Sequence, residues 1–328
     1  MKQTGKKQAP VHTTSLRSIR GQQRLVTVLF MIVPLFLLIL FTYLPFAKMI
    51  QFSFFNMKYT GTRRFIGWQN YISVFTRSDI FPALKLSLFY MAGAVIQMAL
   101  ALFFATMLTG KLKGGAFFKG ALFFPYLICG IAVGYIFKFF FTHGFVLDTL
   151  LTSVGFKLQN LPYWLKDTRI NNIMLAGTSV WRYLGQNMIM FIGAMMSVDE
   201  DVYEAAMIDG ANAWQKFWSI TMPGIKTMVV LNLILSISGS LSAFEPPYVI
   251  TNGTFGTGTY FVVMDRIAHV NLKVGLASAM AVVLMILIIL VTVLQKVVSH
   301  LMLDEDETGH TYRERRAEKK RQAAQAAK

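Results

Sequence analysis

Residues 274–298 carry one charged side chain, Lys296. A helix of that length covers the ~30 Å hydrocarbon core of a bilayer at ~1.5 Å per residue, and satisfies its own backbone hydrogen bonds there. Five runs of similar length precede it, at about 25–50, 83–108, 117–141, 172–196 and 226–250. The pattern predicts an all-α membrane protein with six transmembrane helices. A chain of 328 residues, 55% hydrophobic, with mean hydropathy +0.50, fits one bilayer-embedded domain better than a series of globular ones. That domain is expected at 25–300, between a basic tail (1–24) and a charged tail (301–328).

The net charge of +16 raises the possibility of nucleic-acid binding, but the charge lies in the tails and short loops. With six spans and both ends inside, nineteen Lys and Arg residues fall on the cytoplasmic side against eight outside. The positive-inside rule therefore accounts for the charge, places both termini in the cytoplasm of a plasma membrane, and makes the lipid bilayer, not nucleic acid, the partner. The first apolar run is too long for a cleavable signal peptide. Cys129 is the single cysteine and sits in an apolar run, so there is no intramolecular disulfide or redox motif.

Between the fourth and fifth runs, residues 197–223 read as helix, sharp turn, helix. Ser197 and Glu200 form an S-x-x-E capping box. Gly210 supplies the positive φ of a helix end, Asn212 with Gln215 a second N-cap, and Pro223 closes the segment. Val198, Val202, Ala205 and Ala206 share a face, with Glu204 pointing away. Asp209 lies at a helix C-terminus, where the macrodipole disfavours an anion, so it is expected to have a partner.

Glu204-Ala205-Ala206, Asp209-Gly210-Ala211, Phe217, Ile220 and Pro223 resemble the EAA motif of importer permeases in the ATP-binding-cassette family. The resemblance implies that this stretch is the cytoplasmic coupling helix that docks on an ATPase subunit. Phe65, Gly67, Asn70 and Tyr71 resemble the F-x-G-x-x-N-Y element following the first span of sugar-type permeases. A turn with belt aromatics Trp68 and Tyr71 is the plainer reading. Leu161-Pro162-Tyr163-Trp164-Leu165 resembles an interfacial element of the same proteins, and the loop 251–258 departs from their usual T-x-G-G-P. The resemblance implies the type I importer fold and the carbohydrate (multiple-sugar, maltose-type) subfamily. It also implies a second permease as heterodimer partner, two cytoplasmic ATPase subunits carrying ATP and Mg, an external solute-binding protein and a sugar substrate. No cofactor is expected on this chain.

Polar side chains inside spans are costly and need a reason. Ser179, Arg182, Tyr183 and Gln186 are spaced i, i+3, i+4, i+7 and form one stripe, flanked by Trp181 and Asn187. Asn232, Ser236, Gly239, Ser240 and Ala243 form another, with Phe244 and Glu245 above. Arg182 and Glu245 both fall in the outer half of the bilayer and are placed to pair. A solute cavity and close helix packing compete to explain these stripes. The charge in the fourth span favours the cavity there, and the small residues of the fifth favour packing. Resemblance to maltose-type permeases adds Trp181, Ser236, Ser240 and Phe244 as solute-facing.

Enzyme chemistry is not expected. There is no G-x-x-x-x-G-K-[ST] loop for ATP, the five His residues lack metal spacing, and no hydrolytic set is arranged. The rivals are an importer of a polyol or a glycerol phosphoester, and a secondary transporter. A phosphate would call for more cavity cations than Arg182, and a secondary transporter for relay carboxylates that most spans lack.

Overall fold

The computed structural model describes residues 16–110 and 112–303; most of the N-terminal tail, the C-terminal tail beyond Leu303, and Lys111 lie outside the described residues. Helix α1 (Leu16–Leu38) begins inside the stretch expected to be a polar tail. It continues through the π-turn Ile39–Tyr43 into α2 (Leu44–Phe52). Pro45 has no N–H to donate, and the wider turn just before it, where the Leu44 N–H reaches Ile39 O, absorbs that gap.

The segment after α2 is a small clasp. β1 (Phe55–Asn56) pairs antiparallel with β2 (Arg64–Phe65), and α3 (Gln69–Thr76) follows. The buried Asn70 amide donates to Ser53 O (2.8 Å) and Phe55 O (3.0 Å), and the Tyr71 hydroxyl meets Ser53 Oγ at 2.7 Å. The F-x-G-x-x-N-Y element is thus more than a turn with belt aromatics. It ties the loop back onto the end of the first span.

A 3₁₀ turn (Phe81–Leu86) leads into α4 (Ser87–Thr109). The expected single third span is instead a bent pair, α5 (Gly115–Leu127) and α6 (Gly130–Phe141), at 98° to one another. Pro125 withholds a backbone donor near the end of α5, and Ile128 and Cys129 then turn extended (ψ 133° and 144°). Periodicity could not show this, since both halves are apolar throughout. α7 (Val146–Ser153) and the loop after it are held by Asp148. This carboxylate accepts from Gly144 N and Trp164 Nε1, each at 2.6 Å, and meets His143 Nδ1 at 2.8 Å. Trp164, expected as an interfacial residue, acts here as a latch.

α8 (Asn171–Met195) returns the chain to a short helical segment, α9 (Glu200–Ile208) and α10 (Ala213–Lys216). A π-turn (Phe217–Thr221) joins α10 to α11 (Met222–Leu241). After a break come α12 (Glu245–Thr251), α13 (Tyr260–Asp265) and α14 (Val274–Leu303). Among the described residues, four helical stretches are long and apolar enough to cross a membrane: Val26–Phe52, Phe81–Thr109, Ala213–Thr251 and Val274–Ser299; the bent pair makes five if taken as one span. α8 has the length, at 25 residues, but Asn171, Asn172, Arg182, Gln186 and Asn187 dilute its apolar character.

The core is built where these helices cross. Met98, Ala101, Ala105, Met188, Phe191 and Ile225 bury one cluster between α4, α8 and α11. A second joins Val74 and Ile80 to Tyr260 and Met280 of α13 and α14. Gly185 lets α5 lie directly on α8, since a Cβ there would overlap the Leu122 carbonyl.

Candidate functional site: a polar cavity and a helix–turn–helix at its far end

The two polar stripes face one space. A cavity of about 430 Å³ lies between α4, α6, α8, α11 and α12. Ser179, Arg182, Tyr183 and Gln186 line it from α8; Asn232, Ser236 and Ser240 from α11; Phe244 and Glu245 from the break above. A Cβ on Gly239 would meet nothing within 4 Å, so at this position α11 makes no close helix contact among the described residues. Trp181 is the exception among the expected lining residues. It is 41% exposed on the outer side of α8 and packs edge-on against Phe137, ring centroids 5.1 Å apart. One residue before Arg182, it projects about 100° around the helix from the stripe.

Sequence reasoning missed the wall that α4 supplies. Tyr90, Gly93, Ala94 and Gln97 line the cavity at i, i+3, i+4, i+7, a spacing that was available to find them. The Tyr90 hydroxyl and Asn187 Nδ2 are buried there without a hydrogen-bond partner among the described residues. Ser240 Oγ donates to Ser236 O (2.8 Å), and Phe244 stacks on Tyr248 at 4.6 Å.

Arg182 and Glu245 form the expected pair across the cavity roof, through Arg182 Nη1 and Glu245 Oε2. Nη1 also points to the Tyr183 hydroxyl (3.4 Å), and the guanidinium lies 5.1 Å from the Tyr183 ring centroid. Nearby, the 251–258 loop closes the end of the bundle: Thr251 and Thr257 hydroxyls meet at 2.6 Å, and Asn171 Nδ2 donates to Phe255 O at 2.8 Å. Asn252, Phe255, Gly253 and Gly256 all take positive φ, so the local shape is set by these residues.

The opposite ends of α8 and α11 carry the helix–turn–helix. Asp199, not Ser197, caps α9, its side chain accepting from Asp201 N, while Ser197 Oγ turns back to Ala194 O. Gly210 takes φ +77°, and the Gly210 N–H to Met207 O and Ala211 N–H to Ala206 O bonds close a Schellman turn. Asn212 and Gln215 form a reciprocal capping box. Pro223 does not end a helix; it follows the π-turn in which Met222 N–H reaches Phe217 O, and that wider turn absorbs its missing N–H. Tyr203, which sequence reasoning missed, anchors α9: its hydroxyl meets Thr221 Oγ1 at 2.9 Å. Glu204, Ala205 and Asp209 are exposed, and Asp209 has no side-chain partner among the described residues. Ala206, Ala211, Phe217 and Ile220 are half-buried. Ile208 (87% exposed), one turn after Glu204, and Trp214 (69%) leave apolar surface that nothing among the described residues covers.

Membrane-length helices around a polar cavity, with an exposed helix–turn–helix at one end, define a transport permease. The chain belongs to the family described as "Binding-protein-dependent transport system inner membrane component", which it matches over residues 97–303. It is a multi-pass membrane protein, a transport component and not an enzyme. Similar proteins include the osmoprotective compounds uptake permease protein GgtC of Synechocystis sp., 30% identical over 75% of this chain and 88% of the relative. The multiple sugar-binding transport system permease protein MsmF of Streptococcus mutans is 30% identical over 81% and 92%. The arabinooligosaccharides transport system permease protein AraP of Bacillus subtilis is 31% identical over 71% and 76%. The fold is that of the type I importer permeases. A chain of a bacterial alginate ABC transporter, solved with an alginate-bound periplasmic protein, superimposes with TM-score 0.74 at 18% identity, covering 87% of this chain and 97% of that one.

Proposed function

We propose that this chain forms one half of the translocation pathway of a bacterial ATP-driven carbohydrate importer. The observation that carries the reading is the cavity. Its walls present hydroxyls, amides and aromatic faces, the groups that recognise sugar hydroxyls and ring faces, with no relay of carboxylates or cluster of cations. Similarity to the permeases named for multiple sugars and arabinooligosaccharides supports the same substrate class. The other half of the pathway is a second permease. Six spans, counting the bent pair and α8 as one each, put both termini in the cytoplasm. There, two ATPase subunits, holding ATP and Mg, take the 197–223 segment through Glu204 and the apolar residues beside it. An external solute-binding protein delivers the sugar at the end closed by the 251–258 loop. Closure of the ATPases moves the short helices, and the bundle opens alternately to either side of the cavity.

Growth on a panel of oligosaccharides tests the reading. Cells lacking this chain should lose growth on at least one of them. Wild type should restore it, and Ser240→Leu, which fills the cavity, should not, although the complex still assembles. Growth that is normal on every sugar, with uptake of a non-carbohydrate solute lost instead, would sink the proposal.

A further inference from the structure

The charge inventory of the cavity is short. Among the described residues that line it, Arg182 and Glu245 are the only ionisable pair of opposite sign and the only charged side chains. They pair through Nη1 and Oε2, Arg182 Nε keeps no hydrogen-bond partner among the described residues, and the remaining polar groups are neutral. The pairing is built into the backbone. Gly130, at the break between α5 and α6, leaves the space that the Glu245 carboxylate occupies, and a Cβ there would overlap it. One turn along, Gly134 makes the same room for Val249, where a Cβ would lie 2.6 Å from the Val249 side chain. A G-x-x-x-G face on α6 therefore seats α12 and holds Glu245 over Arg182. Tyr183 supports the guanidinium from the other side.

A guanidinium left alone in this wall would attract anions into a desolvated space and repel cations. Paired, it does neither, and the buried, unpartnered Tyr90 hydroxyl and Asn187 amide remain as uncharged groups for a solute. We propose that Glu245, by neutralising Arg182, sets the charge specificity of the cavity: it admits uncharged, hydroxyl-rich solutes and discriminates against anionic ones such as uronates. Glu245 is then a specificity-determining residue as well as a structural one. This inference rests on the cavity being the solute pathway.

The test uses small charged solutes that react on arrival. In a Cys129→Ser background, Ser236→Cys places one thiol on the cavity wall of the complete transporter. Its reaction rates with anionic sulfonatoethyl and cationic trimethylammonioethyl methanethiosulfonate are compared, each scaled to a free thiol. With the pair intact the two scaled rates should be similar. In Glu245→Gln the anionic reagent should gain and the cationic one lose about tenfold each, the Coulomb effect of one unpaired charge on the order of 10 Å away at an effective dielectric near 20. Arg182→Gln should shift the ratio the other way, and the double variant Arg182→Gln/Glu245→Gln should return it to the wild-type value. A ratio that Glu245→Gln leaves unchanged, or a double variant that behaves like Glu245→Gln alone, overturns the inference but leaves the cavity as a pathway. A thiol that neither reagent reaches removes the pathway itself, and both readings fall together.

Discussion

The hydroxyl of Tyr203 meets Thr221 Oγ1 at 2.9 Å and fastens α9 to the π-turn at the foot of α11. It is the one side-chain hydrogen bond that α9 makes to the helix after the turn, among the described residues. Tyr203→Phe keeps the ring and removes the bond, a loss of about 0.5–1.5 kcal/mol. The expected outcome is normal assembly and a weaker response of ATP hydrolysis to the loaded binding protein. An unchanged response would show that the anchor does not matter to coupling.

Glu204 and Gly210 test the docking role directly. Glu204 is exposed with no partner in the described chain, and Gly210 holds φ +77°. Glu204→Lys should break a charge pair with the ATPase subunit, at a cost on the order of 2–5 kcal/mol. Gly210→Val should misdirect α10 through about 1–3 kcal/mol of backbone strain. Both proteins should reach the membrane, and both should recover less ATPase subunit on purification. Full recovery with both variants would remove the segment from the interface.

Helical glycines divide sharply by environment. Gly185→Ala would drive a Cβ into the Leu122 carbonyl, whereas Gly177→Ala and Gly193→Ala meet nothing within 4 Å. Thermal unfolding of the purified complex should drop clearly for the first and stay within about 1 kcal/mol of wild type for the other two, or rise slightly. Equal effects at all three positions would contradict the packing of α5 on α8.

Asp148 predicts a fourth outcome. It is 1% exposed and serves the Gly144 amide, the Trp164 indole and His143 together. Asp148→Ala leaves two or more buried donors unpaired, at about 1–3 kcal/mol for each group. Protease cleavage within residues 142–170 should accelerate while the 251–258 loop remains resistant. Unchanged cleavage would mean that Asp148 is not the latch.

Topology gives the last. A reporter fused after residue 160 should be external and one fused after residue 212 cytoplasmic. Finding both on one side would remove the six-span orientation.

The helix–turn–helix was legible because its signals are local: Gly210 needs a positive φ, and Asn212 and Gln215 cap each other within one turn. The α8 stripe was legible for a similar reason, since i, i+3, i+4, i+7 spacing places side chains on one face whatever lies opposite. What lies opposite was not legible. Nothing in residues 226–250 said that Gly239 faces open space, and Pro125 marks a kink within 117–141 without fixing its size at 98°. Trp181 was misplaced because a likeness in height along the membrane carries no information about rotation around the helix. Asp148 escaped notice because its partners, His143 and Trp164, stand in loops that show no periodicity.

From Ala213 to Leu241 the helix is interrupted only by the π-turn Phe217–Thr221, so Lys216 and Ser236 belong to the same rod, about 30 Å apart at ~1.5 Å per residue. A stiff lever needs no chain of relayed side-chain rearrangements between its ends. A tilt of a few degrees imposed at the foot would sweep the serines at the other end through an ångström or more about Ile225, which is buried at 1% between α4 and α8.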